Sequence, residues 1–218
     1  MSARNSILTR IRTRQARDAA NHAAEREAVR AHIATHPQNA RPAAKWDAVT
    51  RFREQALKLS STLDEVESIA AVPAAIARYL EAQQLPRKAV CWDALASLNW
   101  DAVAIEIAAR PARATDLVGI TGSFCAIAET GTLMMLSGPQ TPSATSLLPE
   151  THVAIVEKSR IVQGMEEAWQ LVRVERGELP RAVNFISGPS RTADIEQTVT
   201  IGAHGPYRVH IVLVGNAS

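Results

Sequence analysis

Glycine is missing from the first 118 residues of this 218-residue chain; all ten glycines lie at or after Gly119. Glycine supplies tight turns and lets backbones approach closely, so site-like loops are expected in the second half. Cysteine is almost absent. Cys91 and Cys125 are the only two, too isolated for a disulfide framework and fewer than the four thiolates an iron–sulfur cluster usually takes. No CxxC, HxH or HExxH spacing occurs, so no metal site is legible. An excess of one charge is also lacking, with 24 Lys and Arg against 22 Asp and Glu, which excludes a strong nucleic-acid field. No apolar run approaches the ~18 residues of a membrane helix. The opening MSARNSILTRIRTRQ is broken by arginine and has no apolar h-region, so it is no secretory signal. Asp18, Glu25 and Glu27 argue against a transit peptide. These absences point to a cytoplasmic location.

What is present is aliphatic. The chain is 46% hydrophobic but only 4% aromatic, an ordinary globular composition with material for one sizeable core. Residues 5–36 are rich in Ala, Arg and Glu, which favour helix, yet their apolar positions are sparse. They read as an arm, either a solvated tail or a docking element. HPQNARP (36–42) reads as a linker. The division expected is therefore 1–42, a helical arm and linker, and 43–218, a globular domain.

Within the domain, Trp46, Val49 and Phe52 sit at helical spacing, residues 63–69 alternate as a strand, and Pro73 opens a helix. KAVCW (88–92) follows as a buried strand. Together they form a β-α-β unit, which implies a parallel sheet. AVAIEIA (102–108) reads as a further strand. Residues 124–128 and 132–136 read as two strands around a turn, 153–156 as a short strand and 163–175 as a helix. Residues 183–186 and 209–214 complete the sheet. The class is α/β with a mixed sheet and flanking helices.

Four polar stretches carry candidate chemistry. ISGPSRTADIE (186–196) gathers Ser190, Arg191, Thr192 and Asp194 after a Gly-Pro turn, with helical potential beyond it. Unpaired amides at a helix start attract an anion, and Arg191 offers a planar fork for carboxylate or phosphate. The same residues also suit a helix cap with an internal Arg191–Asp194 pair. In GITGSFCAIAETGTLMML (119–136), Glu129 stands among apolar residues and is a candidate nucleophile or general base. Its alternative is the exposed tip of a hairpin turned by Thr130 and Gly131. Thr121, Gly122 and Ser123 form a small polar loop. SGPQTPSATSLLPETH (137–152) is a long loop with several hydroxyls. In GAHGPYR (202–208), His204 and Gly205 are candidate ligand contacts or plain turn residues.

GITGSFCAIAETGTL, SLLPETHVAIV, ISGPSRTADIE and GAHGP, in this order, resemble the lactate utilization protein C (LutC/YkgG) family, whose core is the LUD domain. Gly122-Ser123 departs from the Ala-Asp of many members, and residues 142–145 stand where an arginine is usual. The resemblance implies a fold similar to the NagB/RpiA/CoA-transferase group, which includes 5-formyltetrahydrofolate cyclo-ligase. It implies a part in oxidising L-lactate to pyruvate, beside iron–sulfur partner proteins that carry the clusters while this chain holds no cofactor. It implies a small carboxylate or phosphate-bearing ligand near Thr121, Thr130, Gly131, Ser190, Arg191, Thr192, Asp194, His204 and Gly205. The alternative it raises is a stand-alone CoA-transferase-like or cyclo-ligase-like enzyme using Glu129 as nucleophile.

Overall fold

A computed structural model describes residues 3–15, 22–38, 45–192, 200–201 and 204–215. Contacts divide the chain into two units, Met1–Ala43 and Ala44–Ser218. The first holds helices α1 (Ala3–Arg14) and α2 (His22–Ala34). Neither buries a side chain, and Ile7, Ile11, Val29 and Ile33 stay exposed.

The second unit begins with α3 (Ala48–Lys58), capped by the Asp47 carboxylate, which accepts from the Thr50 amide at 2.8 Å. That bond holds the Asp47 carboxyl below its ordinary pKa. Next come β1 (Thr62–Val66), α4 (Val72–Ala82), β2 (Lys88–Cys91), β3 (Glu106–Ala109) and β4 (Val118–Thr121). They are followed by β5 (Cys125–Ile127), β6 (Thr132–Leu136), α5 (Ala144–Leu147), β7 (Thr151–Glu157), β8 (Ile161–Val162) and α6 (Met165–Arg176). The described elements end with β9 (Val183–Ile186), β10 (Arg191–Thr192), β11 (Thr200–Ile201) and β12 (Arg208–Val214).

Six strands form a parallel sheet in the order β1-β12-β7-β4-β2-β3. A second, mixed sheet runs β8-β5-β6-β9. Strand alternation sorts the core into layers. Val212 and Val214 of β12, with Val153 and Ile155 of β7, face Val72, Ile76 and Leu80 of α4. Their neighbours Ile211, Leu213, Ala154 and Val156 face Phe52 of α3 and Leu133 and Met135 of the second sheet. Met134 and Leu136, on the other face of β6, pack on Ala168 and Val172 of α6.

The class expected from the sequence is the one observed, with corrections at particular elements. β1 and β2 do lie in one parallel sheet, but β12, β7 and β4 stand between them. The strand expected at 102–108 begins only at Glu106; Asp101–Val103 is a 3₁₀ turn and Ala104 takes a left-handed φ of 52°. Part of the polar loop expected around Thr121 is a central strand. Gly119 belongs to it because α5 crosses there: a Cβ on Gly119 would lie 2.0 Å from the Thr145 carbonyl oxygen. Only a residue without a side chain permits that approach.

Candidate functional site

The site is organised around the end of α3. Leu59 caps the helix, and Ser60 turns the chain into β1 with a φ of 66°. Two glycine turns grip this end. A Cβ on Gly131 would lie 2.6 Å from the Ala56 nitrogen, and one on Gly188 would lie 2.3 Å from the Leu59 carbonyl oxygen. Both have positive φ, 67° and 84°, so these turns need glycine for conformation and for closeness.

Hydroxyls join the turns. Thr130 Oγ1 donates to Thr132 Oγ1 at 2.8 Å, and Thr132 Oγ1 lies 2.7 Å from Ser187 Oγ. The Ser190 amide donates to the Pro206 carbonyl at 2.9 Å, and Gly205 packs against Ser190 Cβ. The exposed Arg191 guanidinium donates to Ser60 Oγ. Thr130, Gly131, Ser190, Arg191 and Gly205 are thus gathered around residues 55–60, near the amino ends of β1 and β12. Beside them, Leu148, Glu150, Gly205, Tyr207 and Arg208 line a cleft of about 390 Å³. His204 is exposed.

Other expected site residues fall elsewhere. Glu129 is half-buried in the β5–β6 turn, its amide bonded to the Gln163 carbonyl at 3.0 Å. Thr121 is fully buried, 2.7 Å through its hydroxyl from His152 Nε2. Thr192 pairs through its backbone with Thr200. Asp194 lies outside the described residues. Directly after Gly188-Pro189, where a helical segment was expected, Arg191 and Thr192 instead form an antiparallel ribbon with β11, and the Ser190 amide is spent on Pro206; the rest of that segment, 193–199, lies outside the described residues. Ser60, Thr132 and His152 were not foreseen. The only local signal for Ser60 is a Ser-Ser pair between an amphipathic helix and a strand.

Burial governs the site's surroundings. His152 is fully enclosed, and desolvation lowers its pKa to about 3. Burial raises both Cys91 and Cys125 to about 11, so they are neutral thiols with little nucleophilic character. Among the described residues no group of three or more His, Cys, Asp or Glu is placed to hold a metal ion, and no helix is long and apolar enough to cross a membrane.

A parallel α/β sheet backed by a second mixed sheet, with glycine-clamped polar turns at one end, defines an α/β protein whose candidate site is built from loops. The chain belongs to the LUD domain family, whose model matches residues 15–214. It is 43% identical over 118 residues to lactate utilization protein C of Exiguobacterium, which covers 53% of this chain and 51% of the relative. It is 39% identical over 121 residues to lactate utilization protein C of Bacillus subtilis, covering 54% and 50%. The chain thus aligns with about half the length of these curated relatives. In three dimensions it resembles the crystal structure of a DUF162 family protein from Deinococcus radiodurans. The TM-score is 0.61 at 23% identity, covering 80% of this chain and all of that one, a likeness of fold.

Proposed function

We propose that this chain serves in L-lactate utilization, as a subunit that carries no cluster of its own. It binds a small anion at the Arg191 turn and assembles with iron–sulfur proteins that oxidise lactate to pyruvate. Support comes first from the family and from relatives named for lactate utilization. The observation that carries the reading is the gathering of three motif stretches around residues 55–60, with Arg191 pointed by Ser60. An oriented guanidinium pairs with a carboxylate through two parallel hydrogen bonds, the geometry that lactate and pyruvate each satisfy.

The test is growth on L-lactate as sole carbon source. A deletion strain is expected to fail, wild type to restore growth, and Arg191→Ala to restore little. Normal growth of the deletion strain would remove the lactate role. Full rescue by Arg191→Ala would remove the turn as the anion site.

A further inference from the structure

The opposite end of the parallel sheet holds a second cleft. β2 and β4 are neighbours, but the next strands of this sheet lie in opposite directions: β3 outward from β2, and β7 on the far side of β4, reached through β5, β6 and α5. Ligands of open parallel sheets settle outside the carboxyl ends of strands at such a reversal, because the diverging connections leave a crevice between them. Here the carboxyl ends release Trp92 after β2, and Gly122 and Ser123 after β4. A cleft of about 440 Å³ lies there, lined by Trp92, Leu95, Gly122, Ser123, Arg160 and Arg176 among others, a size that suits a small organic molecule.

The cleft's polar groups are unevenly committed. Arg160 is occupied: its Nε donates to the Phe124 carbonyl at 2.9 Å, and its two Nη atoms meet the Glu175 carboxylate at 2.6 and 3.0 Å. Glu157 adds its charge to the same guanidinium. Arg176 ends α6, lies 5.9 Å over the Phe124 ring and makes no salt bridge among the described residues. Among these residues the amides of Gly122 and Ser123 also make no hydrogen bond, and the Ser123 hydroxyl has only a long contact of 3.5 Å to the Ile155 carbonyl. Gly122 lies over the Trp92 ring, which a Cβ there would touch at 3.7 Å. Two adjacent amides and a hydroxyl stand in a cleft that Leu95, Leu136 and Ile155 line together with the Glu157 and Glu175 carboxylates, and they offer a cradle for an oxyanion.

We propose that this cleft binds a small organic anion. Its carboxylate or phosphate oxygens sit on the Gly122 and Ser123 amides and the Ser123 hydroxyl, its body lies against Leu95, and Arg176 stands at the rim. The site is separate from the Arg191 turn, so it stands whether or not that turn binds lactate.

The test is titration of the ¹⁵N-labelled full chain, followed by amide chemical shifts, with two carboxylates (L-lactate, pyruvate) and two phosphates (inorganic phosphate, glycerol phosphate). At least one probe is expected to shift the Gly122 and Ser123 amides saturably. Response to carboxylates alone, or to phosphates alone, assigns the anion. Ser123→Ala is expected to weaken binding about tenfold, the worth of one hydrogen bond to a charged group, and Gly122→Val to block the cradle. Should Gly122→Val not fold, Ser123→Ala carries the test alone. Arg191→Ala should leave these shifts unchanged. No response to any probe at millimolar concentration overturns the proposal, as does a response confined to Ser190 and Arg191 and lost in Arg191→Ala.

Discussion

The Thr121 hydroxyl and His152 Nε2 meet at 2.7 Å inside the parallel sheet, on neighbouring strands β4 and β7. A second enclosed imidazole, His210 on β12, lies 2.9 Å through Nδ1 from the Thr62 hydroxyl and stacks on Tyr79 at 3.8 Å. Desolvation lowers His152 to about 3 and His210 to about 4.

Stability should therefore depend on acid. Between the unfolded histidine pKa of about 6.5 and these folded values, the unfolded chain binds the extra protons, so stability falls as pH falls. At pH 5 each histidine should cost roughly 2 kcal/mol relative to pH 7.5, from about 1.5 pH units at 1.36 kcal/mol each. Urea unfolding at the two pH values measures it. His210→Phe keeps a ring against Tyr79 and should remove that residue's share of the slope. An unchanged slope would show that His210 is not kept neutral by the fold.

Gly119→Ala should be among the most damaging single-methyl changes in the chain. Its methyl meets the Thr145 backbone oxygen at 2.0 Å, and moving α5 should cost about 3 kcal/mol. Gly177→Ala, which meets no atom within 4 Å at a φ of 68°, bears only the conformational cost of about 1 kcal/mol. Denaturant midpoints of the two variants should differ in that order.

Ser60→Gly should separate folding from binding. Glycine relieves the left-handed backbone at a φ of 66°, so stability should hold or rise by about 0.5 kcal/mol. Loss of the hydroxyl leaves Arg191 without its described partner, and rescue of growth on lactate should fall. A variant that is both stable and fully rescuing would show that Ser60 does not position the arginine.

Native protein should resist thiol reagents. Cys91 and Cys125 are buried with their pKa raised to about 11. Ellman's reagent at pH 8 should react only after denaturation, releasing two equivalents. Rapid labelling of native protein would contradict this burial.

The legible parts of the fold are those whose signal is local. The nearly unbroken apolar runs from Leu133 to Leu136 and from Val209 to Val214 give strands with two apolar faces, and both are strands buried on both faces. Gly119 was legible only as a glycine that could serve a turn or a close approach, because a missing side chain looks the same in a turn as beneath a crossing segment. The segment that demands it, Thr145, comes many residues later. AVAIEIA misled in the opposite sense, since its alternation runs through a turn that Ala104 makes left-handed. At the site, the glycines and hydroxyls of the second half were legible as a group. Their anchor was not, because Ser60 joins Arg191 from 131 positions away.

The placement of β12 between β1 and β7 has a consequence for birth on the ribosome. Thr62 pairs with His210 across 148 positions, and among the described residues β1 has no other neighbour in its sheet. While residues 208–214 are still in the exit tunnel, β1 has no strand to join and β7 presents an open edge, a template for pairing with other chains. The nascent chain must hold that edge unsatisfied until its completing strand emerges, so the sheet is closed from its interior by a strand made after β1, β2, β3, β4 and β7.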